Sequence, residues 1–247
     1  MASAPLPDDE AKRLEALRAY GILDTAPERA YDDLARLAGA ICATPVALVT
    51  LVDEGRQWFK ARLGLDVVET PRDVSFCAHA ILRDGLFVVD DAFDDSRFAD
   101  NPLVRGDPFI RFYAGAPLRA RGGDRLGTVC VIDHIPRRLT AGQREALSAL
   151  GRQAEAQLEL GRRAAEIAAG ARREREAREA FEAARRREER VRRCVHDLKR
   201  PLDSVVASAG RLLERDDLGA EVRASAEGIA EAAASLSRLA RRALDAD

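Results

Sequence analysis

From Gly161 to Arg200 the sequence runs without a proline, and after Phe181 it contains no aromatic residue. Arg, Glu and Ala dominate this stretch, which therefore reads as one long helix rather than as part of a sheet. The preceding residues have the opposite texture. "PVALVTLVD", "RQWFKARLG", "LFVVDDA", "IRFYAGAPLRA" and "RLGTVCVID" are short runs rich in β-branched and aromatic residues, bounded by Gly, Asp and Pro, as half-buried strands are. Helical patterns flank them: "DEAKRLEALRAYGIL" and "APERAYDDLARLAGAICA" before, and "TAGQREALSALGRQAEAQLEL" after, the last with Thr140 as an N-cap. The chain is thus predicted to be α+β: an antiparallel sheet with flanking helices over residues 1–160, a long coiled-coil helix over 161–184, and a helical hairpin over 185–247.

The helical part carries its own signal. Phe181, Ala184, Val191, Val195, Leu198, Leu202, Val205, Ala209 and Leu212 fall on a 3-4 spacing interrupted only by Glu188, the pattern of a coiled-coil seam. Asp216, Asp217 and Gly219 then mark a turn. A second stripe follows at Val222, Ala226, Ile229, Ala233, Leu236, Ala240 and Ala243. Two helices of this size cannot bury their stripes alone, since a core of fewer than ~70–80 residues supplies little net stability. Pairing two copies into a dimeric four-helix bundle resolves this, so a homodimer is expected.

Charge and cysteine usage exclude several classes. With 40 basic and 42 acidic residues the chain has no global field that would draw it to nucleic acid or an acidic membrane. Residues 161–200 hold 14 basic and 8 acidic side chains, but a solvated helix face laced with i,i+4 ion pairs accounts for them, and no nucleic-acid partner is expected. Cys42, Cys77, Cys130 and Cys194 form no C-x-x-C pair, and the N-terminus lacks the order of a secretion signal. The longest apolar run, Val46–Val52, is far short of the ~20 residues that span a bilayer. A cytoplasmic protein without membrane insertion is the expectation.

The stretch "VHDLKRPL" at 195–202 holds the most specific chemistry. Val195, Leu198 and Leu202 occupy the seam, so His196 points about 100° away, toward solvent. Asp197 can orient the imidazole and leave the other ring nitrogen as a nucleophile near neutral pH. Pro201 lacks an N–H, so the helical bond to Asp197 is lost and a bend beside the histidine is predicted.

"HDLKRPL" resembles the H-box of sensor histidine kinases, H-[DE]-x-[RK]-x-P-L, on the first helix of the HisKA-type dimerisation and phosphotransfer domain. The resemblance covers residues 185–247 and implies that His196 is the phosphoacceptor, Asp197 its acid/base partner and Pro201 the source of the bend. Arg200 stands where the family commonly has Asn or Thr, which puts phosphatase activity of the usual kind in doubt; a guanidinium there could contact phosphate or a partner instead. No Asn box or D-x-G-x-G segment follows His196, and the 45 residues after Leu202 are too few for the family's ATP-binding domain, so unaided autophosphorylation is not expected. No Walker loop precedes any of the three lysines. "RGGDRLG" at 121–127 only faintly resembles a diguanylate cyclase signature and reads as a hairpin turn.

Residues 12–160 resemble GAF domains attached to bacterial histidine kinases and cyclic-dinucleotide enzymes, through "RLEALRAYGILDTAPERAYDDLARLA", "DVSFCAHAI", "DDSRFADNPLV", "IRFYAGAPL" and "LGTVCVIDHIPRRLT". The resemblance implies a central antiparallel sheet, a small-ligand pocket and a terminal helix that carries the signal onward. Cys77 and His79 admit a tetrapyrrole reading, but the Cys-His adjacency of bilin-binding relatives is absent; a buried apolar cysteine and a hydrogen-bonded histidine are the simpler reading, with a redox-sensing thiol as the alternative. His134 has no companion ligands that would suggest a metal. Asp90, Asp91, Asp94 and Asp95 read as turn and helix caps. No cofactor is readable, and the ligand of the pocket is not specified. Together the two resemblances imply a two-component signalling protein in which a sensory domain controls a histidine acceptor that exchanges phosphate in trans with a kinase or response regulator. The alternative is a non-enzymatic adaptor that docks on such a partner.

Overall fold

A computed structural model describes residues 3–217 and 219–244, with the side chains of Arg241, Ala243 and Leu244 outside the description. The chain folds as two compact units, one ending at Ala168 and the other beginning at Ala169.

In the first unit, α1 (Glu10–Ala19) and α2 (Arg29–Cys42) precede strands β1 (Val46–Val52), β2 (Arg56–Leu63) and β3 (Glu69–Pro71). A 3₁₀ turn at Arg72–Val74 leads into α3 (Phe76–Ala80), followed by β4 (Phe87–Val89), α4 (Pro102–Arg105), β5 (Phe112–Arg119), β6 (Arg125–Asp133) and the start of α5 (Ala141–Leu213). The six strands form one sheet in the order β3-β2-β1-β6-β5-β4, every pair antiparallel. The five strand-forming runs seen in the sequence correspond to β1, β2, β4, β5 and β6. The segment 120–124 closes the β5–β6 hairpin, with Ala120 N donating to Asp124 O at 2.8 Å and Gly123 at φ +92°. The short elements β3, α3 and α4 left no periodic signal, because three to five residues are too few to display one.

Alternation along each strand sorts the core into two layers. Val129 and Val131 of β6 pack with Ala47, Val49 and Leu51 of β1 against α2 and against Leu147, Ala154 and Leu158 of α5. Cys130 and Ile132 face the other way, with Leu48, Phe59, Phe76, Cys77 and Tyr113. The first turns of α5 therefore belong to the core of this unit. Thr140 caps α5: its Oγ1 accepts from Gln143 N at 3.2 Å, and Gln143 Oε1 accepts from Thr140 N at 3.0 Å, so two otherwise orphaned donors are satisfied reciprocally.

A partly buried ion cluster ties α1 to the sheet edge. Arg13 donates to both carboxylate oxygens of Glu10 at 2.7 Å, and Arg72 donates to Glu10 Oε1 at 2.5 Å and to Asp53 O at 3.1 Å. Burial pushes the Glu10 carboxyl up, but the two guanidinium groups outweigh it and hold the pKa at about 2, against an ordinary 4.5. The cluster stabilises the fold above pH 4.5, and that contribution is lost as pH falls toward 2. Because the pair keeps some solvent, the contribution is on the order of 2 kcal/mol rather than the ~3 kcal/mol that the full shift implies. Glu10→Gln is expected to be less stable than the wild type at pH 7 by that amount in urea titrations, with the gap closing between pH 4.5 and 2. A gap of the same size at both ends of that range would refute the assignment.

In the second unit, α5 runs on through Pro201 to Leu213, and α6 (Ala220–Leu244) follows the expected turn. The exposed face of α5 carries Arg178–Glu182 at 3.3 Å, Arg185–Glu189 at 3.8 Å and Arg192–Glu188 at 3.8 Å, the i,i+4 pairs expected of a solvated face. The apolar stripes divide. Ala209, Ala226 and Ala233 are buried between the two helices with Ser237, whose hydroxyl donates to Asp203 Oδ1 at 3.4 Å, and Val195, Leu202 and Ala240 are half-buried. Phe181, Val191, Leu198, Val205 and Leu212 of α5 and Val222, Ile229 and Leu236 of α6 are exposed. The side chain of Ala243, the last member of the second stripe, lies outside the described residues. No described helix is long and apolar enough to cross a membrane.

Candidate functional site

Two places carry the chemistry that the sequence singled out. The first is a cavity of about 470 Å³ on the α3 side of the sheet, within the range of small-ligand sites. Its walls include Leu48, Phe59, Phe76 and Tyr113, and its polar groups include Gln57, Ser75 and His134. Ser75 is fixed twice: it caps α3 by accepting from Ala78 N at 3.0 Å, and its hydroxyl donates to Gln57 Oε1. His134 Nδ1 lies 2.6 Å from Pro108 O. A carbonyl can only accept, so Nδ1 carries the proton, and Nε2 of a neutral ring is left as an acceptor.

Cys77 lines this cavity from the first turn of α3. The Phe76 ring stacks on Phe98 at 4.0 Å, with Tyr113 5.3 Å away, and seats the short helix on the sheet. His79, two residues on, does not line the cavity; it meets the Phe98 ring edge-on at 4.8 Å. Burial and the Arg97 charge hold its pKa below the ordinary histidine value. Of the four aspartates read as caps, Asp91 and Asp95 close local turns with their carboxylates. Asp91 Oδ1 accepts from Phe93 N at 3.1 Å and Asp95 Oδ1 from Arg97 N at 3.0 Å, and both carboxylates are also paired, with Arg111 and Arg97. Among the described residues, no group of three or more His, Cys, Asp or Glu could hold a metal ion.

One group of residues escaped sequence reasoning. Cys77 Sγ is 3.8 Å from Cys130 Sγ and accepts hydrogen bonds from Thr128 Oγ1 at 3.1 Å and Tyr113 Oη at 3.2 Å. Thr128 in turn is 3.2 Å from the Thr50 hydroxyl, its register partner across β1 and β6. The clue available in the sequence is the alternation Thr128-Val129-Cys130-Val131, which places Thr128 and Cys130 on one face of β6. Nothing local indicates that residue 77 covers that face. Gly115 stands opposite Cys130, and a Cβ there would lie 2.2 Å from the Tyr113 hydroxyl, so this glycine makes room for the donor.

The second place is the His196 turn of α5. The His196 side chain is 80% exposed, and its Nδ1 stands 3.5 Å from Asp197 Oδ1. Asp197 and Arg200 are exposed too, and Pro201 sits inside the helix five residues beyond the histidine. The ring is open to solvent, and the neighbouring carboxylate can favour the tautomer with the proton on Nδ1, which leaves Nε2 as an acceptor.

Residues 26–158 match the family described as GAF domain. Over 137 residues the chain is 47% identical to a protein of Pseudomonas aeruginosa named cyclic di-GMP phosphodiesterase PA2567; the similarity takes in 56% of this chain and only 23% of that protein. Among solved structures, the GAF domain of an Acinetobacter phosphoenolpyruvate-protein phosphotransferase is similar at 18% identity and a TM-score of 0.45, over 62% of this chain and 95% of that one. A domain assigned to a two-component sensor histidine kinase of Sinorhizobium meliloti 1021 is similar at 19% identity and a TM-score of 0.44, over 59% of this chain and 98% of that one.

Proposed function

Because this chain belongs to the GAF domain family, we propose that residues 1–160 sense a small molecule and control a HisKA-type histidine acceptor over 185–247 through a coiled-coil segment at 161–184. His196 takes a phosphoryl group from, or gives one to, a histidine kinase or response regulator in trans. Asp197 orients the ring and Arg200 contacts the phosphoryl oxygens or the partner. The observation that carries the reading is the side chain of His196, 80% exposed on a helix whose flanking Val195 and Leu202 are half-buried, with a carboxylate 3.5 Å from Nδ1.

The acceptor works as a dimer. Small residues fill the interface between α5 and α6, and the large ones, Leu198, Val205, Leu212, Val222, Ile229 and Leu236, remain uncovered. Val205, Leu212 and Ile229 also line a groove of about 220 Å³ between the helices. A second copy presents the same stripe in a self-complementary arrangement, as a two-fold bundle requires. Since the first turns of α5 belong to the sensory core, a shift of that helix on ligand binding would be carried toward His196 along the same element.

The test is direct. The chain is incubated with phosphoramidate, and separately with two-component kinases and ATP, and its phosphate is sorted by acid and base stability. Acid-labile, base-stable label that disappears in His196→Gln is the expected result. Label of equal amount in the variant, or none with any donor, would end the phosphoacceptor reading. The adaptor alternative draws its support from Arg200, which stands where the family commonly has Asn or Thr; it predicts partner binding that His196→Gln leaves intact and no label.

A further inference from the structure

Cys77 and Cys130 lie 53 residues apart, yet their sulfur atoms are 3.8 Å from each other. Closing to the ~2.05 Å of a disulfide asks each side chain to move by only about 1 Å. Three further features set this pair apart from Cys42, which is buried without a thiol partner, and from Cys194, which is exposed. Cys77 borders the cavity, although only 1% of the residue is open to solvent. The Thr128 and Tyr113 hydroxyls both donate to that sulfur, and hydrogen bonds of this kind favour the anionic form. Cys130, at the centre of the sheet, stands against the same sulfur, with Gly115 as its register partner on β5.

We propose that Cys77 and Cys130 form a hydroperoxide-reactive dithiol that closes to an intramolecular disulfide at the floor of the cavity. Cys77 is the attacking sulfur. As a thiolate it attacks one oxygen of ROOH: the S–O bond forms, the O–O bond breaks, and RO⁻ leaves and takes up the proton released by the thiol. Cys77 is then a sulfenic acid. The Cys130 sulfur attacks Cys77 Sγ, the S–S bond forms, and hydroxide departs with the Cys130 proton as water. Two thiols are oxidised by two electrons, and ROOH is reduced to ROH and water; an external dithiol returns the pair to its starting state. The order of attack follows from the surroundings. Burial raises the Cys77 thiol, but hydrogen bonds from Cys130, Thr128, Thr50 and Tyr113 outweigh it and bring it down, whereas burial and the facing Cys77 push Cys130 well up. Cys77 is therefore the better thiolate, and Cys130 the resolving partner.

The proposal is independent of phosphate chemistry at His196 and is read on the thiols themselves. Full-length reduced Cys194→Ser protein is treated with a small excess of hydrogen peroxide or cumene hydroperoxide, quenched, alkylated under denaturing conditions and mapped by mass spectrometry. The expected product is a peptide pair joined through Cys77 and Cys130, formed at least about tenfold faster than any oxidation at Cys42. In Cys130→Ser, Cys77 should be trapped as a sulfenic acid by a dimedone reagent; in Cys77→Ser, Cys130 should remain a free thiol. Tyr113→Phe should slow the closure about tenfold without abolishing it. The proposal is overturned if wild-type protein, which needs no substitution to fold, gives no 77–130 link while Cys194 oxidises, or if Cys42 reacts as fast as Cys77.

Discussion

Gly127→Ala is expected to destabilise the sensory unit by about 3 kcal/mol or more, far beyond the usual cost of a single methyl group. Gly127 is the third residue of β6, paired with Leu51 of β1 on one side and with Leu118 of β5 on the other. A Cβ on it would stand 1.8 Å from Thr50 O and 2.8 Å from the Leu51 Cα. Both obstacles are backbone of a central strand, which cannot swing aside as a flexible side chain would. Relief requires prying β1 from β6, and this loosens the Thr50–Thr128 contact beneath Cys77 as well. For a chain of this size the loss corresponds to a fall in Tm of roughly 6–12 °C. Gly55→Ala provides the control, since a Cβ there meets nothing within 4 Å. Equal melting temperatures for the two variants would show that the close approach at Gly127 is not a real constraint.

In the proposed two-fold bundle, Ile229→Glu is expected to turn the dimer into a monomer. Ile229 is 54% exposed within one chain and, at seven-residue intervals, shares its stripe with Val222 and Leu236. In a two-fold bundle each copy would bury the new carboxylate, so the desolvation cost of an unpaired charge enters twice, several kcal/mol in all. The dissociation constant should rise by at least about a hundredfold. Light scattering behind size exclusion reads this as a drop from twice the chain mass to one. Glu227→Gln, two residues away and about 200° around the helix, should leave the mass unchanged. If wild-type protein elutes as a monomer at tens of micromolar, the exposed stripes need another explanation, and the acceptor hairpin loses its supporting geometry.

These two residues also show how far the sequence could be read. That α6 carries one apolar stripe is plain from the spacing of Val222, Ala226, Ile229, Ala233 and Leu236. Which members of that stripe turn toward α5 is not, because a 3-4 repeat defines a face and leaves open how it is shared among neighbours. In the structure Ala226 and Ala233 are buried against α5 and Ile229 is left outside. The strands follow the same division. Alternation in "RLGTVCVID" is legible as one face against the other, but the strand order that sets β6 between β1 and β5 appears nowhere in it.

What could be read from residue order was whatever depends on a few neighbouring residues: the five strand-forming runs, the capping of α5 by Thr140 and the i,i+4 ion pairs. Tertiary structure alone decided the remainder. It brought Cys77 onto Cys130, made Gly127 a point of backbone contact and raised a cavity over the sheet. Each of these joins segments dozens of residues apart. Local propensities act over a turn or two of chain, whereas contacts of this range are selected by the packing of the whole core at once.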